Sequence, residues 1–202
     1  MVKKTKYKVL LTSDTHLGSK RALELSRRPF DSVEEMDEVI LKNINDTIEA
    51  NGINELIHLG DFGDMDFLKR IKCPVVLILG NYERKEAENL GITLGEYMDL
   101  LKTKYCFKAV LEISAIILPE SYKKVMLCHE PMKVKKYFEE TAPEYRDVSA
   151  GLFGHIHGRQ FIKEFGIDVG VDANHFYPMT AEDVEFYLNA IEKGYYDEEV
   201  FC

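Results

Sequence analysis

Two histidines, His155 and His157, follow a short apolar run that ends at Gly154. Imidazole is the commonest metal ligand among protein side chains, although a pair of ordinary loop histidines is the alternative interpretation. If a strand continues through this segment, residues two apart share one face and lie roughly 6–7 Å apart. Imidazoles at that spacing reach two adjacent cations more easily than one, so the pair predicts one ligand for each of two metal ions.

Four other apolar runs also end in side chains that can bind metals. Their terminal polar residues are Asp14 with His16, Asp61, Asn81 and His129. A lone Gly-Asp or Gly-Asn step more often marks a turn, so each piece by itself is a weak signal. In α/β folds, however, the carboxyl ends of the strands line the ligand crevice. Because all the runs end in the same way, we expect these side chains to converge on one site.

The combined donor set narrows the chemistry. The five ends carry two carboxylates, four imidazoles and one amide oxygen, and no thiolate. Nitrogen and oxygen donors of this kind suit manganese, iron, zinc or nickel rather than a structural zinc cage. Seven protein ligands would crowd a single ion, whereas two ions about 3.5–4 Å apart can share them through a bridging carboxylate. The residue types therefore predict a two-metal site.

The segments around these residues predict the elements that position them. A helix is predicted from the capping box Ser32–Glu35 to Asn51, and a last helix from Thr180 to Gly194. The first half of the chain is predicted as β-α-β-α-β and the second half is richer in strands, which indicates an α/β fold with a sheet that is parallel early and mixed later. The predicted strands cover residues 7–12, 55–59, 74–79, 109–118, 124–128, 150–153, 160–165 and 167–171.

Composition limits the classes of function. The 202 residues carry a net charge of −9, are 46% hydrophobic, and are expected to form one domain over 1–202. No basic stripe is present, which argues against extended nucleic-acid binding. No apolar stretch approaches the roughly 18 residues of a membrane helix, so no membrane partner is expected. The four cysteines, Cys73, Cys106, Cys128 and Cys202, lack a C-x-x-C spacing and are predicted to be reduced thiols in the cytoplasm.

The ordered pattern D-x-H, G-D, G-N, H and G-H-x-H, spread over about residues 7–174, resembles that of the calcineurin-like metallophosphoesterases, especially the small bacterial and phage-type members. The resemblance implies a two-sheet β-sandwich flanked by helices in four α/β/β/α layers. It also implies hydrolysis of phosphoesters by a hydroxide that bridges two divalent ions, with manganese first and iron, nickel or zinc as alternatives. Carried over by motif, the first ion is held by Asp14, His16, Asp61 and His157, and the second by Asp61, Asn81, His129 and His155.

The third motif departs from the family pattern at Tyr82, where many members have a histidine assigned to protonating the leaving group or stabilising the transition state. A tyrosine hydroxyl donates a proton less readily than an imidazolium at neutral pH. Some small members with cysteine at this position resemble diesterases. We therefore expect Tyr82 to act with Asn81 and His129 in a phosphodiesterase for small or nucleotide-like substrates, with a preference for aryl leaving groups.

Further candidates are less specific. Arg28 and Arg84 are predicted substrate contacts, because arginine pairs with phosphate through two hydrogen bonds, and a solvated surface arginine is the alternative for each. His58 is interpreted as a packed strand residue or one that orients a ligand, and His175 as a loop residue. A nuclease and a non-catalytic scaffold for protein contacts are the alternative functions. A homo-oligomer is compatible with the sequence.

Overall fold

The structure is a computed structural model that describes residues 8–196 and contains two five-stranded sheets. The strands are β1 (Val9–Thr12), β2 (Glu55–His58), β3 (Val75–Ile78), β4 (Ala109–Leu111), β5 (Ser114–Ile117), β6 (Lys124–Leu127), β7 (Ala150–Phe153), β8 (Ile162–Lys163), β9 (Gly166–Asp168) and β10 (Met179–Thr180). The α-helices are α1 (Lys20–Leu25), α2 (Val33–Asn51), α3 (Asn81–Leu90), α4 (Leu94–Lys104), α5 (Pro131–Glu140) and α6 (Ala181–Glu192), and 3₁₀ helices cover Met65–Arg70 and Pro143–Tyr145. Cys202 lies outside the described residues, and the other three cysteines are free thiols.

The two sheets place several carboxyl strand ends along one edge. The first sheet has the order β10-β1-β2-β3-β4, with β1 to β4 parallel and β10 antiparallel to β1. The second sheet has the order β5-β6-β7-β9-β8, in which β6, β7 and β9 are parallel to one another. The predicted sandwich with a parallel first half and a mixed second half is confirmed. Because parallel strands end at the same edge of a sheet, residues after β1, β2 and β3 become neighbours although they are far apart in the chain.

Alternation of side chains along the strands separates the layers of the core. Leu10 points towards α2, whereas the next residue, Leu11, packs between the two sheets. A third cluster, which includes Val134 of α5 and Phe153 of β7, lies on the outer face of the second sheet. The layers are therefore helix, sheet, sheet and helix. No helix within residues 8–196 is long and apolar enough to cross a membrane.

The helix boundaries follow from the predicted caps with one difference. The hydroxyl of Ser32 accepts a hydrogen bond from the Glu35 N–H, but the Glu35 carboxylate accepts from the N–H of Asp31 rather than from Ser32. Half of the predicted capping box is therefore present. Helix α2 ends at Gly52, whose φ of 62° is readily reached only by residues without a Cβ.

The prediction of one strand over 109–118 is wrong. The structure divides this segment into β4, which belongs to the first sheet, and β5, which belongs to the second. Between the two strands, Glu112 turns outward and accepts a hydrogen bond from Arg84. An apolar run indicates that a strand is buried but not which sheet the strand belongs to. The residue types of this segment therefore could not show where the chain crosses from one sheet to the other.

Candidate metal centre

The ends of five strands bring the predicted ligand residues together at one edge of the sandwich. Two groups of side chains offer ligand atoms that all lie within 4.8 Å of one another. The first group contains Asp14, His16 and His157, and the second contains Asp61, His129 and His155. The sequence placed one histidine of the 155–157 pair with each ion, and the structure places them in these two separate groups.

Asp61 lies between the two groups. Its Oδ2 atom is 3.6 Å from Nε2 of His16 and 3.5 Å from Nε2 of His129. These separations are too long for good hydrogen bonds but suit donors that share a cation, for which each metal–ligand bond is about 2.0–2.2 Å. The other oxygen, Oδ1, accepts a hydrogen bond of 2.9 Å from the Tyr82 N–H, which fixes the carboxylate plane. A single carboxylate oxygen thus faces both groups.

Asp14 supplies a buried oxygen that lacks a partner. Its side chain is fully buried, and Oδ2 accepts a hydrogen bond of 2.8 Å from the His155 N–H. Its Oδ1 has no hydrogen-bond partner and lies 3.9 Å from Nε2 of both His16 and His157. A buried carboxylate oxygen without a partner is costly unless a cation binds it. The donor set of this group therefore fits a divalent ion.

Asn81 begins α3 and joins the second group. Its Oδ1 atom lies 2.9 Å from Nε2 of His129 and 2.9 Å from Nδ1 of His155. The loop before Asn81 packs tightly, because a Cβ on Gly80 would lie 2.2 Å from Oδ1 of Asp61. Glycine is therefore required at this position for the Asn81 amide to approach the carboxylate and the two imidazoles.

The backbone holds these residues in an unusual conformation. Five of the seven predicted ligands have φ angles between 47° and 72°, in the left-handed region that non-glycine residues rarely adopt: Asp14, His16, Asp61, His155 and His157. Such residues cost about 1–3 kcal/mol each and are concentrated at functional sites. Backbone hydrogen bonds between the loops, such as Asp14 N–H to the Gly60 carbonyl at 3.0 Å, stabilise the arrangement.

The expectation that His155 and His157 extend a strand is wrong. Strand β7 ends at Phe153, and both histidines lie in the following turn. Gly154 permits this turn to approach the site, since a Cβ there would lie 2.1 Å from Oδ2 of Asp14. The imidazoles of His155 and His157 point to different donor groups because the backbone turns between the two residues. The spacing of residues along a strand is not the cause.

The protonation states of the imidazoles differ across the site. Burial lowers the pKa of His16 to about 4, against the opposing effect of the two carboxylates, so a nitrogen lone pair is available on the neutral ring. Burial also disfavours a charge on His129, but its contact with Asp61 and the nearby carboxylates raise its pKa to about 9. Burial favours the neutral form of Asp61, and His129 reverses this effect and holds the Asp61 pKa below its usual range.

Further side chains hold the candidate ligands in place. The buried Glu83 carboxylate accepts hydrogen bonds from the N–H groups of Asp61, Phe62 and Gly80 at 2.8–2.9 Å, which holds the loop that carries Asp61 against the loop before Asn81. Nδ1 of His129 lies 2.8 Å from the Leu59 carbonyl, which leaves Nε2 to face the site. Each of these partners fixes which atom of a ligand points inward.

Asp172 and Asp168 were missed by the sequence analysis. Oδ2 of Asp172 lies 2.7 Å from Nδ1 of His157; burial opposes a charge on that ring, but this hydrogen bond raises the His157 pKa. Asp168 ends β9 and accepts hydrogen bonds from the N–H groups of Gly158 and Gly170, and burial together with the charge of Asp14 raises its pKa to about 7. A signal was present for Asp172, because it directly follows the predicted strand over 167–171, whereas Asp168 lies within that strand.

The prediction that Arg28 contacts substrate is wrong. Its guanidinium is buried, and Nε and Nη2 donate to the two oxygens of Asp172 at 2.9 and 2.8 Å. The other N–H groups donate to the carbonyls of Asp14 and Thr15 and to the sulfur of Met36. All five guanidinium donors are used, so none remains for a phosphate. Burial beside a carboxylate could not be recognised in the sequence Arg27-Arg28-Pro29.

Two further candidates, Tyr82 and Arg84, contact other side chains of the protein. Tyr82 packs edge-on against His16 with ring centroids 4.9 Å apart, and its hydroxyl accepts a hydrogen bond of 3.3 Å from Nε of Arg21. Arg84 donates to Glu112 at 3.0 Å, and its role as a substrate contact stays a prediction.

Of the two other histidines, His58 is fully buried with its Nε2 atom 2.9 Å from the Thr15 hydroxyl, and burial lowers its pKa to about 3. It is therefore a packed strand residue whose hydrogen bond holds the loop between the ligands Asp14 and His16. His175 lies in an exposed loop, as the sequence predicted.

Addition of Mn²⁺ to metal-free protein is expected to fill two sites and to raise the melting temperature. A ligand at 100 times its Kd stabilises a protein by about 2.7 kcal/mol, which corresponds to about 5–10 °C in a chain of this size. His155→Ala should bind one equivalent fewer, whereas His175→Ala, which alters an exposed histidine, should bind as the native chain does. Calorimetric titration and thermal melts measure both effects. Full stoichiometry in His155→Ala would exclude this histidine as a ligand.

Comparison with known proteins agrees with this geometry. The model of the calcineurin-like phosphoesterase superfamily domain matches residues 7–171. An uncharacterized protein of Methanocaldococcus jannaschii is 29% identical over 85 residues, and the match covers 38% of this chain and 47% of that protein, so the chain spans about half the length of this relative.

Two solved structures are similar in fold. A protein of unknown function from Aquifex aeolicus has a TM-score of 0.62 at 19% identity and covers 89% of this chain and 98% of its own. A structure described as a novel archaeal phosphodiesterase has a TM-score of 0.49 at 17% identity, with coverage of 81% of this chain and 83% of its own. The first of these likenesses supports the two-sheet architecture described above.

Proposed function

Because the chain belongs to the calcineurin-like phosphoesterase superfamily, we propose that it is a metal-dependent phosphoesterase that uses two divalent cations and prefers small or nucleotide-like phosphodiesters. The observation that carries this proposal is the position of Asp61, whose Oδ2 atom lies 3.6 Å from His16 on one side and 3.5 Å from His129 on the other. A carboxylate in this position can serve two cations at once.

The donor groups suggest how the cations would be held. Asp14, His16, His157 and Asp61 would bind the first cation, and Asp61, Asn81, His129 and His155 the second. Two divalent cations supply an acidified water and neutralise charge on the phosphoryl oxygens when they are bound. Manganese is proposed for both positions, with iron, nickel or zinc as alternatives, because the donors are nitrogen and oxygen only.

The cysteine beside the centre does not provide a competing nucleophile. Cys128 precedes His129 and is the thiol nearest to the centre in sequence, but burial raises its pKa and keeps it protonated. The two carboxylates, Asp14 and Asp61, contribute −2 against the +4 of two divalent cations. The local charge would therefore attract a phosphate although the whole chain carries −9.

Tyr82 and Arg21 lie where a substrate would approach the first group. The Tyr82 ring is 40% exposed beside His16, and the Arg21 Nε donates to its hydroxyl. Arg21 is exposed, and its Nη atoms have no hydrogen-bond partner among residues 8–196. We propose that Arg21 takes the phosphate-contact role that the sequence assigned to Arg28, since guanidinium binds phosphate through paired hydrogen bonds.

We expect diesters with aryl leaving groups to be hydrolysed at least about 100-fold faster than dialkyl esters, because aryloxides leave without protonation and general-acid catalysis contributes about 10²–10⁴. Tyr82→His should raise the rate on alkyl esters and narrow this ratio, whereas Tyr82→Phe should not. Initial rates on matched aryl and alkyl diesters measure the effect. Equal native rates on both ester classes would show that Tyr82 does not limit protonation of the leaving group.

The proposal is tested by metal analysis of purified protein combined with hydrolysis of bis(4-nitrophenyl) phosphate in the presence of Mn²⁺. Two equivalents of metal and turnover that a chelator removes would support it. A metal-free and inert protein would instead support the non-catalytic scaffold. Salt-dependent binding and cleavage of oligonucleotides would support a nuclease, which the net charge of −9 disfavours.

A further inference from the structure

A cavity of about 630 Å³ lies beside the candidate metal centre and shares loops with it. The wall segment 17–19 directly follows the ligand His16, and Tyr82 directly follows Asn81. The Tyr82 ring contacts His16 and also lines the cavity, so one aromatic ring separates the two spaces. The volume lies within the roughly 300–1,000 Å³ range of small-molecule sites. A group attached to a phosphate at the metal centre could therefore extend into this cavity.

The walls of the cavity are aromatic and aliphatic. Tyr82 and Tyr105 contribute rings, and Leu90 and Leu100 contribute apolar surface from α3 and α4. At the rim, Leu90 is 51% exposed and Tyr82 is 40% exposed, which leaves two large apolar side chains in contact with solvent. Aromatic side chains stack on planar rings of a ligand with little dependence on ring identity. The surface thus favours a flat and largely apolar group.

Tyr97 adds a polar group to this apolar wall. The residue is 3% exposed and lines the cavity, and its hydroxyl has no hydrogen-bond partner among the described residues. Burial, reinforced by the nearby Glu83 and Glu86, raises the pKa of this hydroxyl and keeps it protonated. Because no group of the described residues accepts its proton, the Tyr97 O–H is available to donate to an acceptor on a ligand in the cavity.

The charges around the cavity disfavour an anionic occupant. Asp64 and Glu86 contribute two carboxylates, and Lys104 contributes one ammonium group. The carboxylate of Glu83 also lies there but is engaged by three backbone N–H groups. With more negative than positive charge, the cavity would repel a second phosphate and accept a neutral ring.

We propose that this cavity binds the nucleobase of a nucleotide phosphodiester, by stacking against Tyr82 and Tyr105 and by a hydrogen bond from Tyr97. The inference rests on the proposed function for the position of the phosphate, and it names the substrate class of that site. Binding of the base requires neither metal nor hydrolysis, so the two proposals can fail separately.

The chain has no tryptophan, which permits a direct test in metal-free protein. Tyr105→Trp places a single tryptophan in the cavity wall, and Tyr145→Trp places one at a residue that is 78% exposed and outside the cavity. Adenosine is expected to change the fluorescence of the first variant saturably and to leave the second unchanged. Leu100→Arg, added to Tyr105→Trp, should fill the cavity and weaken binding at least about tenfold, since loss of one stacking contact has effects of this order.

Ribose 5-phosphate is the control ligand, because it carries the sugar and phosphate of a nucleotide without a base. Saturation-transfer NMR of adenosine and ribose 5-phosphate with the native chain gives a second measurement that does not depend on a variant. Transfer to adenosine alone would support the proposal. Transfer to ribose 5-phosphate alone, or none to adenosine, would overturn it. Adenosine binding by an inert protein would contradict the phosphoesterase proposal and leave the base site intact.

Discussion

Asp61→Asn is expected to lower hydrolysis of bis(4-nitrophenyl) phosphate by at least about 10³-fold and to reduce bound metal at both positions. Oδ2 of Asp61 lies 3.6 Å from His16 and 3.5 Å from His129, so it is the atom that both donor groups share. A neutral amide cannot offset the repulsion between two divalent cations a few ångströms apart. Loss of one electrostatic contact to a transition state costs roughly 10²–10³ in rate, and loss of both cations removes more.

The matched control is Asp66→Asn, which changes an aspartate with a side chain that is 69% exposed and paired with Lys69. This variant should keep native activity and native metal content. Metal stoichiometry and steady-state rates should be measured for both proteins, with circular dichroism to show that each is folded. An Asp61→Asn protein that retains two equivalents of metal and full activity would remove the central argument for a shared carboxylate.

Arg28→Ala is expected to destabilise the fold by about 3–5 kcal/mol, because removing one partner of a buried ion pair leaves the other charge uncompensated. The Arg28 guanidinium is fully buried and donates two hydrogen bonds to Asp172. It also donates to the carbonyls of Asp14 and Thr15, so its loss leaves four acceptors without this donor: two oxygens of Asp172 and two carbonyls in the loop that carries Asp14 and His16.

Arg70→Ala is the comparison for this effect, since Arg70 forms an exposed ion pair with Glu38 on the surface. Exposed pairs contribute about 0–1 kcal/mol, so this variant should remain close to the native stability. Urea unfolding monitored by circular dichroism gives both free energies. If Arg28→Ala were as stable as Arg70→Ala, the Arg28–Asp172 pair would not stabilise the centre, and a contact of Arg28 with substrate would have to be reconsidered.

Much of the candidate metal centre could be predicted, because the positions of its ligand residues can be recognised from short stretches of sequence. Each candidate ligand follows an apolar run, and Gly80 and Gly154 stand where a Cβ would collide with a carboxylate oxygen. Strands and helix caps depend on neighbouring residues, so apolar runs located most of the strands, and capping patterns located α2 and α6, within a few residues. The residue types in these positions, carboxylate, imidazole and amide, then indicated a site for two cations.

The tertiary structure decided which distant groups are partners. The amino-acid sequence determined most of the strand ends and their donors, and its resemblance to a known family implied the sandwich architecture. It could not determine that Asp172 holds both Arg28 and His157, that residues 109–118 divide between two sheets, or that Tyr82 separates the centre from an aromatic cavity. These features depend on contacts between residues far apart in the chain, where burial and charge are set by the neighbours that folding brings together rather than by the residues on either side.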